Sequence, residues 1–362
     1  MKYVLSLREE FLPMQNDAIA GAILGCAVGD ALGLPYEGLS KRRGVRGYGA
    51  PERYRFLFGR GMVSDDTEHT IMVARALCEF PDDPELFARR LGKHFRWWLL
   101  GVPAGIGLAT LKAIIRLWSG VPASRSGVYS AGNGAAMRIA ILGAAIDDSR
   151  ILNQFVRAST QITHSDPNAY FGAFVVAMAA WNAKRGKDNP TDFFASFHKT
   201  EELNGFPEFY SLLMHTEESL KTGETTEAFA EKICGERGVS GYILHTVPVC
   251  LHAWLSFPRD YRKAVQAVIR CGGDTDTTAA IVGAIVGSGT GREGIPLEWR
   301  TGLWEPAHSV DYMECLAEAA TQAVQCQPFK LPKTNPLTGI MRNFLFLLTV
   351  LFHGFRRLFP PY

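Results

Sequence analysis

The sequence lacks the features by which several classes of protein are recognised. It has seven cysteines but no Cys-x-x-Cys pair, which favours reduced, buried thiols over a disulfide framework. It has no excess of one charge, with 38 Lys and Arg against 36 Asp and Glu, and this argues against bare DNA or RNA as a partner. The chain reaches Arg8, Glu9 and Glu10 before any apolar stretch of signal-peptide length, so we expect a cytoplasmic protein.

Apolar runs long enough to span a bilayer are also missing from the sequence pattern. The stretch "AIAGAILGCAVGDALGLP" is interrupted by Asp30, and near the carboxyl end the uninterrupted apolar run covers only 344–352. We therefore expect no membrane-spanning helix. In the first stretch glycines recur every four residues from Gly21 to Gly33, which on a helix forms one stripe that another backbone can approach closely.

Alternating, strand-like patterns are scarce, whereas apolar residues recur at intervals of three and four along most of the chain. No long Ser-, Gly- or charge-rich linker divides the chain. The sequence thus predicts a single all-α domain over residues 14–330, preceded by a short lead at 1–13. A proline-bounded hydrophobic tail, residues 331–362, is expected to form a helix. It either docks on the body or lies on a membrane or partner surface, backed by Arg356 and Arg357.

Two short acidic clusters, about two hundred residues apart, each precede an apolar helix. The first is "SDDT" at 64–67, and the second lies in "CGGDTDTTAAIVGAI" at 271–285. Helix capping explains one side chain in each cluster but not two carboxylates in each. If both helix starts face one cavity, the four carboxylates repel one another unless cations lie between them. Their hard oxygen donors suit Mg²⁺, Mn²⁺ or Ca²⁺ and argue against zinc.

Five motifs in order, "GAILGCAVGDALGLPYEG", "SDDT", "AGNGAAMRIA", "THSDP" and "GGDTDTTAAIVGAI", resemble those of the ADP-ribosylglycohydrolases. This family includes dinitrogenase reductase-activating glycohydrolase and the ADP-ribosyl-acceptor hydrolases. The resemblance covers the chain to about residue 325. It implies an all-α fold with a cleft that holds two Mg²⁺, or Mn²⁺. It also implies an enzyme that hydrolyses the glycosidic bond between ADP-ribose and its acceptor, so that mono-ADP-ribosylation is reversed.

The resemblance further implies roles for individual residues. The metal ligands fall on the two acidic clusters, at Ser64, Asp65, Asp66, Asp274, Asp276 and Thr277. Glu37 of "LPYEG" matches a glutamate beside the metals and the scissile ribose, which makes it a candidate base or a residue that orients water. Asp65, Asp66 and Asp276 are the other carboxylates expected to take part in catalysis. Without the resemblance, Glu37 would be interpreted as an exposed loop acid.

Residues expected to bind the substrate are spread along the chain. They are Glu37, Gly105, Gly107, Ser130, Gly132, Asn133, Gly134 and His164. The run "SAGNGAAMR" is expected to offer free backbone N–H groups at a helix start to a pyrophosphate. His164 of "THSDP" is expected near the phosphates or the ribose. The alternatives are an ordinary turn and a structural histidine, and Asp166 before Pro167 is interpreted as a helix cap.

One departure from the family pattern leaves the acceptor open. Arginine-directed relatives often carry an aspartate near the scissile bond, in the segment where this chain has "VPAG" at 102–105. Proteins modified on arginine are the first expectation, and serine linkages, O-acetyl-ADP-ribose and modified nucleic acid stay open. A non-enzymatic alternative is an ADP-ribose-binding immunity protein that neutralises an ADP-ribosylating toxin, in part by occlusion. A further alternative is an aspartyl-phosphate phosphatase with Asp274 as nucleophile. Its motif should follow a buried strand, and the sequence before Asp274 does not predict one.

Overall fold

A computed structural model describes residues 2–198 and 205–359 of the chain. Within these ranges it contains seventeen α-helices and one antiparallel pair of two-residue strands, β1 (Leu39–Ser40) and β2 (Gly272–Gly273). The predicted all-α fold is therefore confirmed. The helices are α1 (Lys2–Gly33), α2 (Lys41–Tyr48), α3 (Asp65–Glu79), α4 (Pro84–Leu100), α5 (Leu108–Trp118), α6 (Ala140–Ala145), α7 (Ser149–Gln161), α8 (Pro167–Lys184), α9 (Pro190–His198), α10 (Pro207–Lys221), α11 (Thr226–Cys234), α12 (Ile243–Ser256), α13 (Tyr261–Cys271), α14 (Thr275–Thr290), α15 (Leu297–Gly302), α16 (Val310–Val324) and α17 (Pro336–Arg356).

The glycine-rich helix α1 packs against α14 at the centre of the molecule. A Cβ on Gly25 would lie 2.2 Å from the carbonyl oxygen of Gly283, and one on Gly29 would lie 2.0 Å from that of Ala279. No side chain fits there, so the two backbones touch as the glycine spacing predicts. The Thr275 hydroxyl donates to the carbonyl of Gly33 at 2.9 Å, which fixes the start of α14 beside the end of α1.

Six further helices surround this central pair and bury its apolar faces: α3, α6, α8, α12, α13 and α16. The largest fully buried side chains include Trp254 on α12 and Phe171 on α8. Burial of side chains of this size stabilises the fold by roughly 1.5–3 kcal/mol each. The core therefore surrounds α1 and α14 with packed side chains.

The run "NGAAMRIAILGAAI" does not form the single helix that its periodicity predicts. It divides into a 3₁₀ helix, Asn133–Arg138, and the short α6. The fully buried Arg138 contributes to this difference because its Nη2 donates to the Ser159 carbonyl of α7 at 2.9 Å. At the start of the 3₁₀ helix, the Asn133 N–H donates to Gly241 at 2.9 Å. Tertiary hydrogen bonds thus override the helical pattern.

By length and composition alone, two segments within the described residues, 17–36 and α17, could cross a membrane, which the uninterrupted apolar runs of the sequence did not indicate. The first is entirely buried in the core, whereas only 28% of the second is buried.

All seven cysteines are free, as expected, but Cys315 and Cys326 are exposed and Cys234 is half-buried, against the expectation of burial.

The carboxyl-terminal helix α17 docks on the body through one face. Its Arg342 is buried and binds Glu305 at 2.8 Å and Glu68 at 3.4 Å. Its Asn343 donates to the Gly101 carbonyl at 2.8 Å. Of the two interpretations of the tail, docking is therefore observed, and α17 lies beside both the start of α3 and the loop that precedes α5.

Candidate active site

A cavity of about 410 Å³ opens where α3 and α14 begin. Thirteen of the fourteen predicted site residues line it; the exception, Asp66, lies at 1% exposure behind Ser64. The residues that line it are Glu37, Ser64, Asp65, Gly105, Gly107, Ser130, Gly132, Asn133, Gly134, His164, Asp274, Asp276 and Thr277. The structure thus brings residues from both acidic clusters to one cleft, while their chemical roles stay predictions.

The start of α3 is held in place by a buried carboxylate of α1. Asp30 accepts hydrogen bonds from the backbone N–H of Ser64 at 2.9 Å and of Thr67 at 3.2 Å, and from the Thr67 hydroxyl at 2.5 Å. Ser64 is the N-cap of α3, since its Oγ accepts from the Asp66 N–H at 3.2 Å. The capping explanation therefore holds for Ser64, and it leaves the carboxylates of Asp65 and Asp66 unaccounted for.

The start of α14 differs because its N-cap residue, Asp274, makes no capping hydrogen bond with its side chain. Its Oδ2 instead accepts from Asn133 Nδ2 at 2.7 Å, and the same Nδ2 lies 3.0 Å from the Thr246 hydroxyl. Thr277 Oγ1 donates to Asp66 Oδ2 at 3.3 Å and so joins the two clusters directly. Capping does not explain the aspartates of this helix start.

Glu37 reaches the cleft because the strand pair ties its loop to the second cluster. The Gly38 N–H donates to the Gly273 carbonyl at 2.8 Å, and Leu39 pairs with Gly273 across β1 and β2. Gly273 has φ +85°, and a Cβ on it would lie 2.0 Å from the Val239 carbonyl oxygen. Glycine is therefore required at this position, where the chain turns directly into Asp274.

The cleft carboxyls raise one another's pKa values. Burial is the main cause for Asp66 and Asp276, and nearby charges add to it: Asp30 and Asp65 for Asp66, Glu37 and Asp274 for Asp276. Burial and the charge of Asp30 likewise raise the pKa of Asp65. The pKa of Glu37 is raised by desolvation of its carboxyl and by Asp274, although the residue as a whole is exposed. The folded protein without cations thus disfavours full ionisation of this cluster.

The donor set of the cleft fits hard divalent cations. Asp66 Oδ1 and Asp276 Oδ1 are buried and, among the described residues, have no hydrogen-bond partner. Such carboxylate oxygens normally have one. The described residues hold no group of three or more His, Cys, Asp or Glu side chains arranged to bind a metal by themselves. The hydroxyls of Ser64 and Thr277, which both donate to Asp66 Oδ2, would complete an oxygen-rich set of ligands.

The loop opposite the acids differs from the prediction in one respect. The Gly132 N–H donates to Ser130 Oγ at 3.3 Å, and the Asn133 N–H is bonded to Gly241, so neither is free for a pyrophosphate. The expectation of free N–H groups at these two positions was wrong, because the loop pairs with the segment that precedes α12. A Cβ on Gly134 would lie 3.1 Å from the His164 ring, so glycine makes room for that ring.

His164 is buried beside this loop, and its Nδ1 lies 2.8 Å from the Thr163 hydroxyl. Burial, and secondarily the charge of Arg138, lower the pKa of His164 to about 3, so the imidazole is neutral near pH 7. It can therefore bind a substrate through hydrogen bonds but not as a cation. Asp166 caps α8 by accepting from the Asn168 N–H at 2.8 Å, as its position before proline predicts.

The sequence did not predict three structural features of the cleft. Arg138 holds the loop at 130–134 through the Gly134 carbonyl and the Thr163 hydroxyl, the latter at 2.8 Å. Asn133, predicted to bind substrate, orients Asp274. The tail supplies part of the cleft wall through Phe346 and Val350. The first two lie within the quoted "AGNGAAMRIA" motif, whereas nothing in the tail sequence indicates contact with the cleft.

The tail also holds the loop that carries Glu37. Arg357 Nη1 donates to the Glu37 carbonyl and its Nη2 to the Pro35 carbonyl, both at 2.9 Å. Phe346 packs in a small cluster with Leu34 and Met62 that borders the cleft. The last helix of the chain therefore belongs structurally to the candidate active site.

Fold and site together define a helical protein whose cleft is built from two acidic helix starts. A model of the ADP-ribosylglycohydrolase family matches residues 13–328. The chain belongs to the ADP-ribosylglycohydrolase family.

The matches to three relatives each extend over most of the relative's length. An uncharacterised protein of Archaeoglobus fulgidus is 34% identical over 295 residues, which cover 80% of this chain and 92% of that protein. The ADP-ribosyl-[dinitrogen reductase] glycohydrolase of Rhodospirillum rubrum is 26% identical, with coverage of 80% and 92%. The ADP-ribosylhydrolase ARH3 of Gallus gallus is 25% identical, with coverage of 77% and 87%.

A solved structure described as an ADP-ribosylglycohydrolase-related protein complex is also similar, with a TM-score of 0.64 and 27% identity. The match covers 86% of this chain and 99% of that one. Family membership and these relatives together support an ADP-ribosyl hydrolase activity for the chain.

Proposed function

We propose that this protein is a divalent-cation-dependent hydrolase that cleaves the glycosidic bond between ADP-ribose and a protein side chain, with arginine as the first acceptor to test. The observation that carries the proposal is the contact between the two clusters, Thr277 Oγ1 to Asp66 Oδ2 at 3.3 Å, at the base of a cleft lined by Asp65, Asp274 and Asp276. Family membership supplies the substrate class.

Two Mg²⁺ ions, or Mn²⁺, would be held by the residues of the two clusters, Ser64, Asp65, Asp66, Asp274, Asp276 and Thr277. Bound there, the ions would lower the pKa of a water molecule and fix the ribose hydroxyls. Neighbouring residues support this set: Asn133 orients Asp274, and Asp30 holds the N–H groups at the start of α3. This arrangement leaves Asp66 Oδ1 and Asp276 Oδ1 without a hydrogen-bond partner among the described residues and so available to a cation.

Glu37 is the proposed general base. Glu37 lines the cleft together with Asp274 and Asp276, where its carboxylate would accept a proton from a water molecule held in the cavity. In hydrolysis the water oxygen bonds to the anomeric carbon, the bond from that carbon to the acceptor breaks, one water proton passes to Glu37, and the acceptor leaves with a proton from solvent. The oxocarbenium-like transition state needs an activated water on one face of the sugar.

The substrate side of the cleft would bind ADP-ribose through neutral groups. His164 is uncharged near pH 7, and the loop at 130–134 offers the Ser130 hydroxyl beside glycines. On the side of the acceptor, Gly105 and Gly107 line the cavity with backbone and carry no carboxylate. An acceptor therefore meets an apolar and backbone surface, which favours no single linkage strongly.

The test is release of ADP-ribose from proteins modified on arginine, and separately on serine, by the full-length chain with Mg²⁺, with Mn²⁺ or with EDTA. We expect release from at least one substrate with metal and little with EDTA. Glu37→Gln should lower the turnover about 10²–10⁴-fold. An exposed acid outside the cleft, Asp82, provides a charge-matched control, and Asp82→Asn should keep full turnover.

Two outcomes would overturn the proposal. Release that is unaffected by EDTA would remove the cations from the mechanism. No release from any substrate, together with tight binding of free ADP-ribose, would favour the alternative of a binding or immunity protein that acts on an ADP-ribosylating toxin by occlusion. Near wild-type turnover of Glu37→Gln would leave the hydrolase intact but move the base to another residue.

A further inference from the structure

Helix α17 has an inward face that docks on the body and an outward face that is almost wholly apolar. On the inward face Arg342, Asn343 and Phe346 are buried. The outward residues recur every three or four positions, and between 36% and 74% of each is exposed: Leu337, Ile340, Met341, Phe344, Leu347, Leu348, Leu351, Phe352 and Phe355. A monomer in water rarely exposes a continuous apolar stripe of this size without a use for it. We call this set the outer stripe.

Basic residues lie beside the carboxyl-terminal end of the outer stripe. Helix α2 exposes Lys41, Arg42 and Arg43 and contains no acidic residue. Arg43 Nη2 donates to the Arg357 carbonyl at 3.4 Å, and the Arg356 guanidinium lies 5.9 Å from the centre of the Tyr48 ring, so α2 and the end of α17 share one surface.

The sequence of the tail adds to this charge. From residue 319 to residue 362 the chain has no Asp or Glu and five Lys or Arg residues. Because the net charge of the whole chain is only +2, the cationic character is local to this surface. The surface is therefore apolar and basic together.

A groove between α2 and α17 extends the apolar area. Its volume is about 550 Å³. Phe58, Leu348 and Phe352 contribute apolar lining, and Arg55 and Arg356 contribute positive charge. The Phe58 side chain is fully exposed. Apolar side chains next to arginines match the acyl chains and phosphates of a lipid interface.

We propose that the outer stripe and the basic face of α2 bind the surface of anionic lipid bilayers. The stripe would lie at the level of the headgroups with its apolar side chains inserted, and Lys41, Arg42, Arg43 and Arg356 would pair with lipid phosphates. A second copy of this chain is a poorer partner for the same surface, since it would bring like charges together. The inference does not depend on the hydrolase activity.

The same contacts indicate a helix that lies on the membrane and does not cross it. Arg342 on the inward face binds Glu305, and the carboxyl of Glu305 is almost completely buried. If α17 left the body to span a bilayer, this buried carboxylate would lose its partner, which is strongly destabilising. The helix is therefore expected to stay docked while its outer face contacts lipid.

The experiment is sedimentation of the full-length protein with vesicles of phosphatidylcholine alone or of phosphatidylcholine with phosphatidylglycerol. We expect binding to the anionic vesicles, little binding to the neutral ones, and weaker binding in high salt. The triple variant Phe344→Gln, Leu351→Gln and Phe355→Gln should lose most binding, since these side chains are exposed and their replacement does not disturb the core. The variant Lys41→Gln, Arg42→Gln and Arg43→Gln should bind roughly 10²-fold more weakly, since each basic residue near an anionic surface contributes about 1 kcal/mol.

A matched control replaces exposed apolar residues on another surface, Trp97→Gln with Ile115→Gln, and should bind vesicles as the wild type does. Three results would overturn the proposal: no binding to anionic vesicles, equal binding to neutral vesicles, or equal loss in the control. A dimer in solution that the triple glutamine variant abolishes would also overturn it, because the stripe would then bind a second copy. Circular dichroism of every variant verifies that the helical fold is intact.

Discussion

The two walls of the cleft are built in different ways. The inner wall consists of the starts of α3 and α14, with buried carboxylates held by Asp30, by Asn133 and by the backbone contact between α1 and α14. The outer wall is α17, which lies beyond the region matched by the family model and is mostly exposed. The inner wall therefore lies within the region that the family model matches and holds the proposed metal ligands, whereas α17 lies outside that region.

The largest expected effect follows from removing a charge of the inner wall. Asp66→Asn keeps the size of the side chain and takes away a carboxylate that faces both clusters. We expect ADP-ribose release to fall about 10²–10³-fold, as for loss of a preorganised electrostatic group. Thermal stability without metal should rise or stay unchanged, because repulsion with Asp30 and Asp65 is relieved. A fall in activity that is matched by unfolding would mean that Asp66 is structural.

Rigidity of the inner wall depends on the absence of side chains between α1 and α14. Gly25→Val should destabilise the protein by about 3 kcal/mol or more, since even its Cβ would lie 2.2 Å from the Gly283 carbonyl oxygen. Denaturant unfolding measures the effect. Gly47→Ala in α2, where nothing lies within 4 Å of the added Cβ, is the matched control and should be neutral or slightly stabilising. Equal effects of the two substitutions would show that the central helix pair has room to relax.

A smaller effect is expected from the residue that orients Asp274. Asn133→Ala removes the hydrogen bond of 2.7 Å to Asp274 Oδ2. We expect the concentration of Mg²⁺ needed for half-maximal activity to rise about 10–100-fold, the usual cost of losing a group that orients a metal ligand. At saturating Mg²⁺ much of the turnover should return. A change in KM for substrate with an unchanged Mg²⁺ requirement would return Asn133 to its predicted role in substrate binding.

The smallest effect on activity is expected from a substitution in the outer wall. Phe346→Ala enlarges the cleft without touching the carboxylates, so the KM for an ADP-ribosylated substrate should change by up to about tenfold with little change in kcat. The outward neighbour Phe344→Ala is the control and should leave both constants unchanged. If Phe346→Ala lowers kcat as strongly as Asp66→Asn, the division between the two walls is wrong.

The sequence predicted the inner wall well because its signals are local. Glycines spaced by four, paired aspartates at helix starts and a serine in capping position are each recognised within a short stretch of sequence, and the structure brings them together. The sequence failed where tertiary hydrogen bonds decide. Arg138, bonded to the Ser159 carbonyl, and Gly241, bonded to the Asn133 N–H, interrupt the expected helix at 133–146. The Asn133 N–H and the Gly132 N–H, which were expected to be free, are occupied by the Gly241 carbonyl and by Ser130 Oγ.

The outer wall could not be predicted for another reason. The apolar pattern of the tail indicates a helix, but which of its faces docks depends on Arg342 meeting Glu68 and Glu305, residues 274 and 37 positions away in the chain. Periodicity carries no information on such distant pairs. Contact of Phe346 with the cleft follows from that docking, and it is visible only in the folded structure.

The central claim, that the carboxylates of two distant helix starts share divalent cations, is tested most directly by thermal unfolding with EDTA and with Mg²⁺ between pH 5.5 and pH 8. Burial raises the pKa of Asp30 to about 7 from 3.8, and the pKa values of Asp66 and Asp276 are raised as well. At a pH between the pKa that these carboxyls have in the unfolded chain and their raised pKa in the folded protein, the folded protein binds more protons than the unfolded chain. Its stability in EDTA should therefore fall as the pH rises through this range. Mg²⁺ should restore it, with the larger shift at pH 8 and almost none in Asp66→Asn. A melting temperature that does not change with pH or Mg²⁺, or an equal Mg²⁺ shift in Asp66→Asn, would contradict the claim.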